Sequence, residues 1–231
     1  MFAKEPQHDV DYINFATRYL ITNVMKRIFL IVAAFAILAC QSVSAQTTID
    51  PTADYNRATL MYQHRSFDGT GTNGFELGYI HGFSLSKTVP LFFQTGLKLD
   101  MGFSSDDADV SGVKVTGKLK TMSLNVPLDL SYKLVFGESK TAAFVPYAGF
   151  NLKLNTMGKM TAKASYSGVS ASESTSLFDA GMKHFQIGWH IGLGLQINKV
   201  FVGADFGTDF IKIADGGNHT PTFHIGLGYT F

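Results

Sequence analysis

Between Gln46 and Phe231, apolar and polar residues alternate with a period of two in eight separate stretches, and charge inside a stretch keeps to one face. The stretches are Arg57–Phe67, Phe75–Phe83, Leu91–Phe103, Leu119–Leu134, Ala142–Leu154, His184–Ile197, Val200–Ile211 and Thr222–Phe231. Two is the side-chain period of a β-strand. In the fourth stretch Met122, Leu124, Val126, Leu128 and Leu130 make one face, while Ser123, Asn125, Asp129 and Lys133 make the other. The sixth sets Phe185, Ile187, Trp189, Ile191 and Leu193 against His184, Gln186, Gly188, His190, Gly192 and Gly194. Lys120, Lys183 and Lys212 depart from the rule, and each is expected at a stretch end where a long side chain reaches water. Alternation alone suits any half-buried sheet. Strict placement of charge is more selective: an Arg or Lys facing lipid at the bilayer midplane costs about 2–4 kcal/mol.

Each stretch holds at least nine residues, enough for a tilted strand to cross a hydrocarbon core. The connections alternate in length. Ser84–Pro90, Val135–Thr141 and the two-residue Asn198-Lys199 are short; Asp68–Gly74 and Lys212–Pro221 are intermediate; Ser104–Lys118 and Asn155–Lys183 are long. Short turns on one rim and long loops on the other are the habit of barrels that cross an outer membrane. The expected fold is therefore all-β: an eight-stranded antiparallel up-and-down transmembrane β-barrel with its N-terminus on the periplasmic side. Composition agrees. Charged residues are 16% and aromatic residues 13% of the chain, against about 25% charged in soluble domains. The net charge of +1 gives no footing for nucleic acid. A soluble barrel of lipocalin type, apolar inside, is the rival fold, but the apolar face carries more large rings than a small lumen holds.

The first 45 residues read as an address. Lys26 and Arg27 precede the apolar run Ile28–Ala39, and Val43-Ser44-Ala45 supplies small residues before Gln46, as in a secretory signal peptide. We place the signal at residues 25–45, the barrel domain at 46–231, and read residues 1–24 as an upstream start artefact, with Met25 as the start. Leu38-Ala39-Cys40 is a competing lipidation motif, poorly matched at Ile37 and Leu38. Cys40 is the single cysteine, so the processed chain is expected to hold no disulfide.

The run Gly226-Leu227-Gly228-Tyr229-Thr230-Phe231 resembles the C-terminal assembly signal of outer-membrane barrels, with Phe223, Ile225, Leu227, Tyr229 and Phe231 on its apolar face. Leu124-Asn125-Val126-Pro127-Leu128 and Phe144-Val145-Pro146-Tyr147-Ala148-Gly149 resemble the "porin family" barrel domain of Bacteroidetes-type bacteria. The resemblance covers nearly all of the processed chain. It implies a fold, an outer-membrane location, surrounding lipid and the barrel assembly machinery as partners, and no particular chemistry.

Eight strands leave an interior just wide enough for side chains. Inward parity places Arg65, Lys98, Lys133 and Lys153 against Glu76, Asp100, Asp129, Asp205 and Asp209. So even a mixture predicts a paired plug, since confined unpaired charges are costly and a selective pore favours one sign. Other motifs have plain readings. Gly69-Thr70-Gly71-Thr72-Asn73-Gly74 matches a dinucleotide fingerprint in letters but is followed by a strand, so it reads as a loop. His190, Asp205 and His224 are candidates for a metal, without a closed ligand set; His184 lies too far along the strand to join them. His64 and Ser66 are similar to the catalytic pair of lipid A deacylases, but Glu76 has the wrong parity to complete it. Tyr62, Tyr79, Phe83, Phe103, Tyr132, Trp189, Phe210 and Tyr229 read as interfacial girdles. The expectation is a monomeric structural or surface-interaction barrel without catalytic residues, cofactor or metal, contacting partners through the serine-rich Asn155–Lys183 loop. A narrow diffusion channel, a hydrophobic-solute conduit or a lipid A-modifying enzyme are the alternatives.

Overall fold

The computed structural model describes residues 48–67, 70–110, 113–167, 169–215 and 217–231. The expected signal segment and the residues before it lie outside these. The strands are β1 (Tyr55–Phe67), β2 (Thr70–Ser84), β3 (Leu91–Val110), β4 (Val113–Tyr132), β5 (Leu134–Phe136), β6 (Ala142–Tyr166), β7 (Val169–Ser176), β8 (Phe185–Ile197), β9 (Val200–Asp209) and β10 (Thr222–Thr230). All pairings are antiparallel. The order β4-β3-β2-β1-β10-β9-β8-β6 is closed by pairing of β6 with β4, which makes a ring of eight. β5 continues β4 beyond a break at Lys133 and keeps the same partner, β6, while β7 pairs β6 off the ring path. The seam joins the first and last strands: Arg57 stands opposite Thr230 and Arg65 opposite Thr222. Asn56 and Phe231 extend it by exchanging backbone hydrogen bonds of 3.3 and 3.0 Å.

The ring is polar within and apolar without. Arg65, Glu76, Asp100, Ser123, Asn125 and Gln186 are buried, whereas Leu60, Leu77, Leu97, Leu130, Ile191 and Leu193 are about half exposed. That inversion excludes the soluble rival, whose buried face would be apolar. The girdle rings lie outward as expected, among them Tyr79, Phe83, Phe103, Phe210 and Tyr229. Along β4 the outward apolar run from Tyr132 to Met122 covers ten residue steps. At about 3.4 Å per step and a tilt of about 40°, it rises roughly 26 Å, the height of a lipid-facing band.

Several boundaries differ from the expected ones. Asp68–Gly74, expected as a loop, is strand from Thr70 onward, with Gly71, Thr72 and Asn73 opposite Ser66, Arg65 and His64. The dinucleotide-like letters therefore fall mostly on a paired strand. Of Ser104–Lys118, also expected as a loop, residues 104–110 end β3 and 113–118 begin β4, paired up to Val110 and Val113. Asn155–Lys183 likewise contains the upper part of β6 and all of β7. Above the lipid a strand needs no apolar face, so cross-strand pairing supports these segments without the hydrophobic signature that marks the others. β8 begins at Phe185, leaving His184 exposed and stacked on Phe178 at 4.0 Å, not in the lumen. Lys120 lies inside β4, one step above the end of the apolar run, because the strand continues past it. The Asn198-Lys199 hairpin is as expected: Ile197 faces Val200, and Asn198 takes the positive φ of 52° that such a tight turn demands.

Candidate functional site

The titratable side chains of the ring converge in the lumen. Register sets Glu76 on β2 directly opposite Asp100 on β3, an arrangement of like charges that is unfavourable alone. Each carboxylate has its own cation: Lys98 Nζ lies 3.1 Å from Glu76, and Arg65 lies 2.7 Å from Asp100. Across the seam, His224 Nδ1 is 2.7 Å from Asp205, and its Nε2 faces Glu76 at 3.6 Å. Tyr147 donates its hydroxyl proton to Asp205 at 3.1 Å. His190 turns the other way, with Nε2 3.0 Å from Asp129 and Nδ1 accepting from the Asn151 amide at 2.8 Å. Lys153 binds both oxygens of Asp209 at 2.9 Å, and the Thr220 hydroxyl donates to the same carboxylate.

Toward the rim with the short turns, the filling changes from ion pairs to rings. Arg57 lies 3.6 Å from the Phe201 ring centroid and 4.9 Å from that of Tyr55. Lys133 lies 4.4 Å from both the Tyr55 and Phe92 rings, with its ammonium 3.4 Å from the Asp50 carbonyl. Neither cation has a carboxylate within 4 Å among the described residues; desolvated cation–π contact takes that place. Lys133 thus stands apart from the ion-pair network in which parity puts it. Phe201 packs with Ile49, Ala143, Val145 and Tyr147. Its ring occupies the space that a Cβ would fill at Gly194 or Gly203, so these glycines permit the plug.

Five cations (Arg57, Arg65, Lys98, Lys133, Lys153) thus share the lumen with five carboxylates, and all ten residues are 7% exposed or less. Arg57 adds a fifth cation to the four expected inward, on the same face of β1 as Arg65, a match visible in the sequence. Tyr55, Phe92 and Phe201 stay hidden there because they interrupt the polar face with residues typical of the other. Among the described residues the lumen side chains line two cavities of about 20 Å³ each, each with room for a water molecule and little else.

The remaining candidates separate. Asp205 and His224 do meet, but His190 is committed to Asp129. Glu76, Asp100 and His224 bring ligand atoms within 4.8 Å of one another; Lys98 and Arg65 already supply positive charge there, an arrangement that opposes a metal cation. His64 Nδ1 donates to the Asn73 side-chain oxygen at 2.8 Å, which also accepts from Tyr62 at 2.6 Å. Glu76 points into the lumen, away from His64 and Ser66.

A closed antiparallel ring with lipid outside and a charge-filled interior defines a small transmembrane barrel. The chain belongs to the outer membrane protein beta-barrel domain family, which residues 31–231 match, and it is an outer-membrane protein. No curated protein matches it. Among solved structures it is similar to Ail, the attachment invasion locus protein of Yersinia pestis, at 15% identity over 77% of this chain and 97% of that one, TM-score 0.40. Neisserial surface protein A matches at 14% identity over 77% and 95% of the two chains, TM-score 0.40. A major outer membrane protein of Thermus thermophilus matches at 16% over 78% and 100%, TM-score 0.38.

Proposed function

We propose that this protein is a non-conducting, non-catalytic envelope barrel whose ring anchors the paired extension of β3, β4, β6 and β7 at the cell surface for structural or interaction purposes. The single observation that carries this reading is the filled lumen: ten charged side chains no more than 7% exposed, with residual cavities of about 20 Å³. The network of Arg65, Glu76, Lys98, Asp100, Asp129, Lys153, Asp205 and Asp209 then serves structure, with Lys133 and Arg57 joined to the aromatic plug. A non-catalytic role is supported by His64, which is tied to an amide and has no carboxylate partner among the described residues.

The same reading assigns the ladder Phe223, Ile225, Leu227, Tyr229 and Phe231 to recognition by the barrel assembly machinery, after export on the 25–45 leader. The finished barrel acts as a monomer surrounded by outer-membrane lipid. Within its family the Leu124–Leu128 and Phe144–Gly149 motifs support the Bacteroidetes-type group. Planar-bilayer recordings test the central part. The purified barrel should leave the membrane electrically silent, and proteoliposomes should not swell in small sugars. A stable unitary conductance or sugar-dependent swelling would establish the channel alternative instead.

A further inference from the structure

Above the lipid-facing band, β3, β4, β6 and β7 continue as a four-stranded sheet. A single extra residue on β6, Thr156, shifts its register against β4, after which Met122 stands opposite Met157. Successive outward-facing rows can then be read across the sheet. The last apolar row is Met101, Met122 and Met157; the next is Phe103, Lys120 and Lys159. Lys118 stands one row higher opposite Thr161, Lys163 another row up opposite Thr116, and Lys114 nearest the tip. All five lysines are exposed. They share the face that, lower on the same strands, meets lipid.

This face is not explained by the fold. Lysines often guard sheet edges against pairing, but the edges here are β3 and β7, and every one of these lysines is on the central strands β4 and β6. Lys120 and Lys159 are direct cross-strand neighbours, with Cβ atoms about 5 Å apart by strand geometry, and like charges so placed repel. The acids of the same face, Asp107 and Asp109, lie at the tip, where Asp107 is 3.9 Å from Lys114. Among the described residues Lys118, Lys120, Lys159 and Lys163 have no ion-pair partner. Asp106 and Glu173 belong to the opposite face.

We propose that Lys118, Lys120, Lys159 and Lys163 form a binding surface for the phosphate groups of the anionic glycolipid of the outer leaflet. The height fits: the lysines begin one row above the last methionines, where hydrocarbon gives way to headgroups. The direction fits as well, because the face points at neighbouring lipid rather than over the barrel mouth. Phosphate oxygens bridging two ammonium groups turn the Lys120–Lys159 repulsion into paired charge-assisted hydrogen bonds. The surface depends on the outward face alone and holds whether or not the lumen conducts.

The test uses the folded barrel in uncharged detergent micelles, titrated with phosphorylated lipid A or with the same lipid A stripped of phosphate. Wild type should prefer the phosphorylated form, and Lys120→Gln with Lys159→Gln should weaken that binding at least tenfold while leaving the stripped form unaffected. Lys120→Arg with Lys159→Arg should retain the preference, which keeps the test decisive where the glutamine variant misfolds. Equal binding of both lipids by wild type, or unchanged binding by the folded glutamine variant, overturns the proposal. So does a soluble sulfated polysaccharide that occupies the lysines more tightly than the lipid.

Discussion

Arg65 and Gln63, neighbours on the lumen face of β1, donate to the same oxygen of Asp100 at 2.7 and 3.3 Å. Removing that acceptor strands a guanidinium in an interior with no bulk water. Asp100→Ala should therefore cost about 3–5 kcal/mol, the usual penalty for breaking a buried pair on one side. Replacing both partners by apolar residues, Arg65→Met with Asp100→Leu, should restore much of the loss. Urea unfolding in lipid vesicles, followed by the gel shift between folded and heated protein, measures both.

The aromatic plug makes a second, compensating pair of changes informative. Phe201→Ala should destabilise by about 3–5 kcal/mol, the range for truncating a packed ring, and should expose Arg57. Gly194→Leu should prevent stable folding, since its side chain enters the volume of the Phe201 ring. Combined with Phe201→Ala, Gly194→Leu should fold again. Unfolding midpoints of the three variants decide whether the glycine and the ring are one packing unit.

Much of this architecture is legible from the chain itself, for one physical reason. Lipid on one side forces every second residue of each crossing to be apolar, so Met122 through Leu130 declare their face and Ser123, Asn125 and Asp129 declare the other. The signal fades where lipid stops. Val113–Leu119 and Met157–Tyr166 are strands all the same, but serine, threonine and lysine there read as loop. Partner choice in the lumen is not readable either. Whether His190 meets Asp205 or Asp129 depends on strand stagger around the ring, which no local pattern encodes. Arg57 is readable from its parity with Arg65; its cation–π partners Tyr55 and Phe201 are not.

If the extension above β3 and β4 is supported by the ring rather than supporting it, the ring should survive its removal. Joining Ser104 to Leu119 through Asn-Gly deletes the outer ends of both strands and leaves the seam and lumen intact. The shortened protein should keep its folded gel mobility and its unfolding midpoint within the scatter of wild type. Loss of the folded band would show that the outer sheet is needed for closure.

The envelope reading also predicts a silent outcome at the His64–Ser66 pair. Ser66→Ala should leave the acylation pattern of lipid A, read by mass spectrometry of extracted membranes, identical to that of cells carrying the wild-type barrel. A missing or additional acyl chain that depends on Ser66 would assign the rim a catalytic role.

The inverted placement of polar and apolar faces is tested most directly along β4. Nitroxide labels placed singly from Thr121 to Tyr132 in bilayer-embedded protein report collision with dissolved oxygen, which concentrates in lipid, and with a water-soluble nickel complex. Oxygen access should rise at positions 122, 124, 126, 128 and 130 and fall at 121, 123, 125 and 129, with the nickel complex reaching neither set at mid-membrane depth. Oxygen access in the opposite phase, or nickel access to the lumen positions, would contradict a barrel packed with polar side chains and bathed in lipid.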